Sequence, residues 1–168
     1  MKSNKKILEK TCEDIHRGDI ILIETIQDEH YLSFFNRISN YFIESSNIDP
    51  RYKTQEIPII HFRTELEKIR KLTPLIPEGP ISGELTQKTF KNYNPREKVV
   101  IHYKDQHTNF IETGFIDILN PLIFVLSSYY PKDTKYKNKK HPHFTAKTSF
   151  DAPSFRYIKI ANLVERIY

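Results

Sequence analysis

Between positions 97 and 126, runs of β-branched and aromatic residues are cut by strong turn signals, and this stretch limits the fold more tightly than any other. Val99, Ile101 and Tyr103 alternate with Val100 and His102, the two-residue period of a strand. Polar residues 105–109 supply a turn. A second run, 110–119, stops at Asn120-Pro121, and an apolar third, 122–126, follows at once. Gly114, in the middle of the second run, marks a bulge or a bend. Residues 143–150 and 155–160 read as a hairpin across Asp151-Ala152-Pro153, and the last five residues alternate again. Short strands joined by tight turns predict a small antiparallel β-barrel over 84–168.

The N-terminal half reads differently. Ile7, Leu8, Cys12 and Ile15 share one face at helical spacing, which predicts a helix over 4–16, with Ser3 as its cap and Gly18 as its stop. Residues 19–26 are apolar and β-branched and read as a strand. Asp28 stands where it would cap a helix over 29–45 with an apolar face of Leu32, Phe35, Ile38 and Phe42. Leu66, Ile69 and Leu72 indicate a third helix over 64–72. Pro74, Pro77, Gly79, Pro80 and Gly83 break regular structure over 73–83, which is therefore the expected linker between 1–83 and 84–168. The expected fold class is α+β, a helical N-terminal part followed by a small antiparallel barrel. No internal repeat is legible.

Composition narrows the setting. The 168 residues suffice for a real core. A single cysteine excludes an internal disulfide framework. The N-terminus lacks a signal-peptide pattern, and no apolar run approaches the ~20 residues that span a bilayer. These features set the expectation of a cytoplasmic protein without a membrane partner. Cys12, on an apolar face, is expected to be buried as a small hydrophobe.

The net charge of +5 is local: residues 132–147 carry six Lys and one Asp, and the rest of the chain is close to neutral. One basic segment points to one surface that meets an anion. The candidate binding residues are Lys132, Lys135, Tyr136, Lys137, Lys139, Lys140, His141, His143 and Lys147, preceded by Tyr129 and Tyr130. Lysines meet phosphates as mobile point charges, and tyrosines offer stacking faces to unpaired bases. His141 and His143 lack a third ligand nearby, so neither a metal nor a cofactor is expected. No Ser/His/Asp order or Cys/His pair stands out, and four glycines in the whole chain leave little scope for a phosphate-cradling loop. A catalytic function is therefore not expected.

Residues 114–121 (Gly-Phe-Ile-Asp-Ile-Leu-Asn-Pro), the apolar run 122–126 and residues 157–167 (Tyr-Ile-Lys-Ile-Ala-Asn-Leu-Val-Glu-Arg-Ile) resemble the YolD-like family and, more loosely, Sm-like and SH3-like small barrels. His16-Arg17-Gly18-Asp19-Ile20 and Glu29-His30 stand at about the spacing of that family's opening Asp-Arg-Gly motif and later Glu-His pair. His16 replaces the family's Asp, and its following Lys-Trp is absent. The resemblance implies a small barrel and a bacterial or phage DNA-damage setting, and it implies no chemistry. Residues 17–22 also resemble the opening of MazF-type ribonuclease toxins, but no Arg-Pro follows and a helix is expected at 29–45. The expected function is a non-enzymatic binding module that contacts nucleic acid or an acidic protein surface through residues 132–147. The alternative is a phage or mobile-element interaction protein that binds and inhibits a host defence protein or sequesters a small nucleotide. Val164 to Tyr168 is read as an edge strand through which copies of the chain could pair.

Overall fold

The computed structural model describes residues 8, 12–52, 59–81, 83–84, 93–94, 96–104, 109–119, 123–130, 144–149 and 157–166. Eleven strands lie among them: β1 (Ile20–Thr25), β2 (His30–Ile38), β3 (Phe42–Ser46), β4 (His61–Glu65), β5 (Ile69–Pro77), β6 (Gly83–Glu84), β7 (Lys98–Lys104), β8 (Asn109–Leu119), β9 (Ile123–Ser127), β10 (Phe144–Ser149) and β11 (Tyr157–Glu165). A 3-10 turn, Leu66–Lys68, joins β4 to β5. Every pairing is antiparallel, and the strands run in the order β10-β9-β8-β7-β11-β5-β1-β2-β3-β4, with β6 beside β11. The result is a barrel-like, all-β architecture.

That order contains the same unit twice. In β1–β5 the fifth strand pairs with the first and the others follow as a meander, and β7–β11 repeat this arrangement. The register repeats with it. Phe34 and Phe35 face Ser46 and Ser45 before the β2–β3 ladder slips at Asn36. Phe115 and Ile116 face Ser127 and Leu126 before the β8–β9 ladder slips at Asp117. Just upstream, the Gly18 N–H donates to Phe35 O at 2.8 Å and the Arg96 N–H donates to Ile116 O at 2.6 Å. Both donors have left-handed backbones, with φ of 96° at Gly18 and 74° at Arg96. Glycine adopts that conformation freely, whereas arginine does so at a cost.

The two units meet as the halves of a two-fold. Where β5 meets β11, Leu163 lies opposite Pro77, Val164 opposite Ile76 and Glu165 opposite Leu75. Ile76 and Val164 hold equivalent positions, so the axis passes between them. Past the end of β3, Ile48 bridges to Glu112 of β8. Past the end of β9, Tyr129 bridges to Tyr31 of β2. These are one contact made twice. The Asp49 N–H donates to Ile111 O at 2.9 Å and the Tyr130 N–H donates to His30 O at 2.7 Å. In the other direction, the Thr113 N–H donates to Asn47 O at 3.1 Å and the Leu32 N–H donates to Ser128 O at 2.9 Å. Ser46 and Ser127 each tie the turn that follows, their hydroxyls donating to the carbonyls of Ile48 at 2.8 Å and Tyr129 at 2.9 Å.

Three buried clusters follow from this arrangement. The first lies inside the N-terminal unit and includes Leu8, Cys12, Ile15, Ile21, Ile23, Tyr31, Phe35 and Leu72, with Tyr129 of the other unit packed against it. The second lies inside the C-terminal unit and includes Val99, Ile101, Tyr103, Phe110, Ile116 and Ile160, with Ile48 of the other unit in it. The third joins the two, with Phe34 and Leu75 on one side and their equivalents Phe115 and Leu163 on the other. Burial of each such side chain contributes roughly 1.5–3 kcal/mol before entropy is counted, so the seam is as much a core as either interior.

Several expectations need correction. The α+β class with a helical N-terminal part is overturned. Residues 30–38 and 42–46 are strands where a helix over 29–45 was expected, and 61–65 and 69–77 are strands around a 3-10 turn where a helix over 64–72 was expected. Of the segment 4–16, Leu8, Cys12 and Glu13 carry helical backbone, and Cys12 is buried. Asp28 caps no helix and instead takes a left-handed conformation, φ 62°, in the β1–β2 turn. The helical spacings have identifiable causes. β2 buries both faces, with Tyr31 and Phe35 in one cluster and Leu32 and Phe34 in another, so polar–apolar alternation disappears. In β5 the register skips Arg70 between Ile69 and Lys71, so Ile69 and Leu72 point inward three residues apart.

Regular structure also runs through part of the supposed linker, since β5 continues to Pro77. Pro74 is tolerated because its carbonyl accepts from the Arg166 N–H at 3.0 Å, just beyond the end of β11. In an antiparallel strand a residue's N–H and C=O point to the same side, so the N–H that Pro lacks costs the β1 ladder nothing. Val164 and Glu165 are not at an edge, because they pair with β5. The ends of the strand path are β4 and β10. The repeat, illegible in the residues, is plain in the pairing.

Candidate binding pocket at the junction of the two units

The cross-bridge at Tyr31 and Tyr129 closes the floor of a pocket of about 240 Å³. The β1–β2 turn supplies one wall with Thr25, Gln27 and Glu29. Arg63, Thr64 and Glu65 of β4 supply another, with Lys68 and Phe42 beside them. The turn is held by its own bonds. The Thr25 N–H donates to Glu29 O at 2.9 Å, the Glu29 N–H donates to the Thr25 hydroxyl at 3.1 Å, and the Ile26 N–H donates to Lys68 O at 2.9 Å. Gln27 and Glu29 are thereby carried on a fixed loop with their side chains exposed.

Aromatic rings form the base. Tyr31 stacks on Phe62 with centroids 4.9 Å apart and lies 5.1 Å from Tyr129, which meets Phe62 edge-on at 6.0 Å. Tyr31 is buried, and its hydroxyl is hydrogen bonded to that of Thr64. Burial raises the Tyr31 phenol well above its ordinary pKa, an effect the Thr64 bond only partly offsets. Tyr129 is half-buried, and burial together with the charge of Glu29 raises its phenol too. Both rings are therefore neutral hydroxyl-bearing surfaces at physiological pH.

The charges around the rim are balanced. The Lys68 ammonium lies 3.7 Å from Glu65, and the Arg63 guanidinium lies 3.9 Å above the Phe42 ring and 4.0 Å from Glu44. Glu44 is also gripped by Arg37, whose hydrogen bond holds its carboxyl below the usual range. The equivalent position in the C-terminal unit is built differently. There Glu112 stands for Tyr31 and Ile48 for Tyr129. Glu112 is fully buried and accepts from Asn47 Nδ2 at 3.0 Å. Asn47 also accepts the Ile60 N–H at 2.7 Å, so it ties both units to the β3–β4 connection.

The residues singled out in the sequence fall largely elsewhere. Lys132, Lys135, Tyr136, Lys137, Lys139, Lys140, His141 and His143 lie outside the described residues. Lys147 is on β10, with its Cα opposite Val125. Tyr129 lines the pocket, and Tyr130 packs edge-on against Phe115 at 5.3 Å with the Arg96 guanidinium 5.8 Å from its ring. No sequence motif marks Tyr31 or Gln27, and Glu29 enters the sequence reading only through the Glu29-His30 pair and as an acid–base candidate by residue type alone. The one available signal was the pair Tyr129-Tyr130 next to the lysines, and nothing local linked it to Tyr31. Among the described residues no cluster of His, Cys, Asp and Glu is arranged to hold a metal ion. His30 instead lies 3.2 Å from Asp28 and 3.7 Å from Glu24.

Arg17, the first residue of the MazF-like opening, donates to Asn36 Oδ1 at 2.9 Å and to the Pro50 carbonyl at 3.3 Å. The helix that set the chain apart from those toxins is replaced by β2 and β3, while the Arg-Pro remains absent. No helix among the described residues is long and apolar enough to cross a membrane. No family model, no curated protein and no solved structure matches this chain, so the YolD-like resemblance stands on the quoted residues alone.

Proposed function

We propose that the protein is a non-enzymatic binding module of two SH3/Sm-like units that takes nucleic acid through the basic segment 132–147. The observation that carries this reading is how the segment is anchored. The described residues that flank it are Tyr130, whose N–H is bonded to His30 O, and β10, which carries the segment's last residues and is paired to β9. Five of the six lysines fall in sequence between β9 and β10 and the sixth, Lys147, is on β10, so the segment starts just after the tyrosine that floors the pocket. Flexible cations beside aromatic surfaces are a recurrent way of holding single-stranded nucleic acid. The resemblance to YolD-like proteins supports a bacterial or phage DNA-damage setting.

Titration of labelled single-stranded DNA at several salt concentrations tests the reading. Binding should weaken steeply with salt. Replacing Lys135, Lys137, Lys139 and Lys140 by Ala should make the log–log slope shallower by about 3, given ~0.7 per phosphate contact on single strands. If the protein instead binds and inhibits a host defence protein, the same four substitutions leave that complex intact and DNA binding is absent from the start.

A further inference from the structure

We propose that the pocket between the β1–β2 turn and Tyr129 holds one unpaired nucleobase of the strand whose phosphates meet the lysine segment, an assignment that rests on the nucleic-acid reading above. The lining selects the ligand class. Glu29 and Glu65 bring two negative charges to the rim and Arg63 and Lys68 bring two positive ones. A bare phosphate would face both carboxylates, and a bare ammonium would face both cations. A neutral heterocycle meets neither penalty.

The floor and rim fit such a ring. Tyr129 presents an aromatic surface, backed by Tyr31 at 5.1 Å. Stacking on such a surface accepts any base, because every base has a π-face. Gln27 offers two amide donors and a carbonyl acceptor on an exposed turn, able to meet the mixed donor–acceptor edge of a base. Thr25 and Thr64 are engaged within the protein, to Glu29 and Tyr31 respectively, which leaves edge recognition to Gln27 and the charged rim. At about 240 Å³ the pocket falls below the ~300–1,000 Å³ of sites for larger ligands, which limits it to a single base.

The test compares a short single-stranded oligonucleotide with its abasic counterpart of equal length, binding to the full chain. The expected result is about tenfold weaker binding of the abasic strand with an unchanged salt slope. Gln27→Ala and Tyr129→Leu should weaken the base-bearing strand towards the abasic value and leave the abasic strand unaffected. Gln27 is exposed, so its variant folds even if the Tyr129 variant does not. Equal affinity of wild-type protein for the two strands overturns the pocket assignment and leaves the lysine reading standing. Absence of salt-dependent binding to either strand overturns that reading, and the assignment with it.

Discussion

Ile48 and Tyr129 occupy the same position in the two units, and each crosses the seam to pack in the other's interior. Neither unit's core is complete without a side chain from its neighbour. The two units should therefore unfold as one. Ile48→Ala removes a side chain that is 1% exposed and should cost about 2–5 kcal/mol. Chemical denaturation followed by far-UV circular dichroism and by tyrosine fluorescence should give coincident transitions in wild type and variant. Separated transitions would mean that the units are independent.

Gly114 is held by a close approach rather than by a special backbone angle. A Cβ there would sit 2.9 Å from Ser127 O and 3.3 Å from Leu126 Cβ. Gly114→Ala should cost about 1–3 kcal/mol, as overpacking of a filled site does. Gly79→Ala serves as the control, since nothing lies within 4 Å of its Cβ position. Thermal melts of the two variants should differ by several degrees, and equal melts would contradict the packing described.

Alkaline pH should destabilise the fold through Tyr31. Its folded pKa is raised by burial, so its contribution is fully present below the unfolded value of about 10 and is lost as pH rises above it. The reason is that the unfolded chain releases the phenolic proton first. Stability measured from pH 8 to pH 11 should be level and then fall. Tyr31→Phe, which cannot ionise, should fall less over the same range, and identical curves would remove Tyr31 as the cause.

Asn47 bonds to Glu112 and to the Ile60 N–H, so it links the β3–β4 connection to the opposite unit. Asn47→Ala leaves the part-buried Ile60 N–H without that acceptor and the buried Glu112 without the Asn47 donor, and losing a bond of this kind costs about 1–3 kcal/mol. Hydrogen exchange should show the Ile60 amide losing protection, while amides in the β7–β11 ladder change far less. Uniform loss across the protein would point to global destabilisation instead.

The strands β1, β7, β8 and β9 coincide with runs that read as strands, because apolar and β-branched residues there are bounded by turn signals. β2 and β5 were hidden by what makes the fold double. Tyr31–Phe35 is buried on both faces because a second unit covers the outside, and the skip at Arg70 spaces Ile69 and Leu72 like a helix. The repeat was hidden because several equivalent positions differ in residue type, as with Tyr31 and Glu112 or Ile48 and Tyr129. The lysine segment was legible as a run of charge. The pocket was not, because its floor joins residues far apart in sequence across the seam.

The most direct measurement is a backbone-amide NMR titration of the labelled full chain with a short single-stranded oligonucleotide. The shifts should concentrate at Gln27, Glu29, Lys68, Tyr129 and Tyr130 and within 132–147. Shifts confined to other surfaces, such as Lys98 and Lys104 on β7, or no shifts at all, would contradict nucleic-acid recognition at this junction.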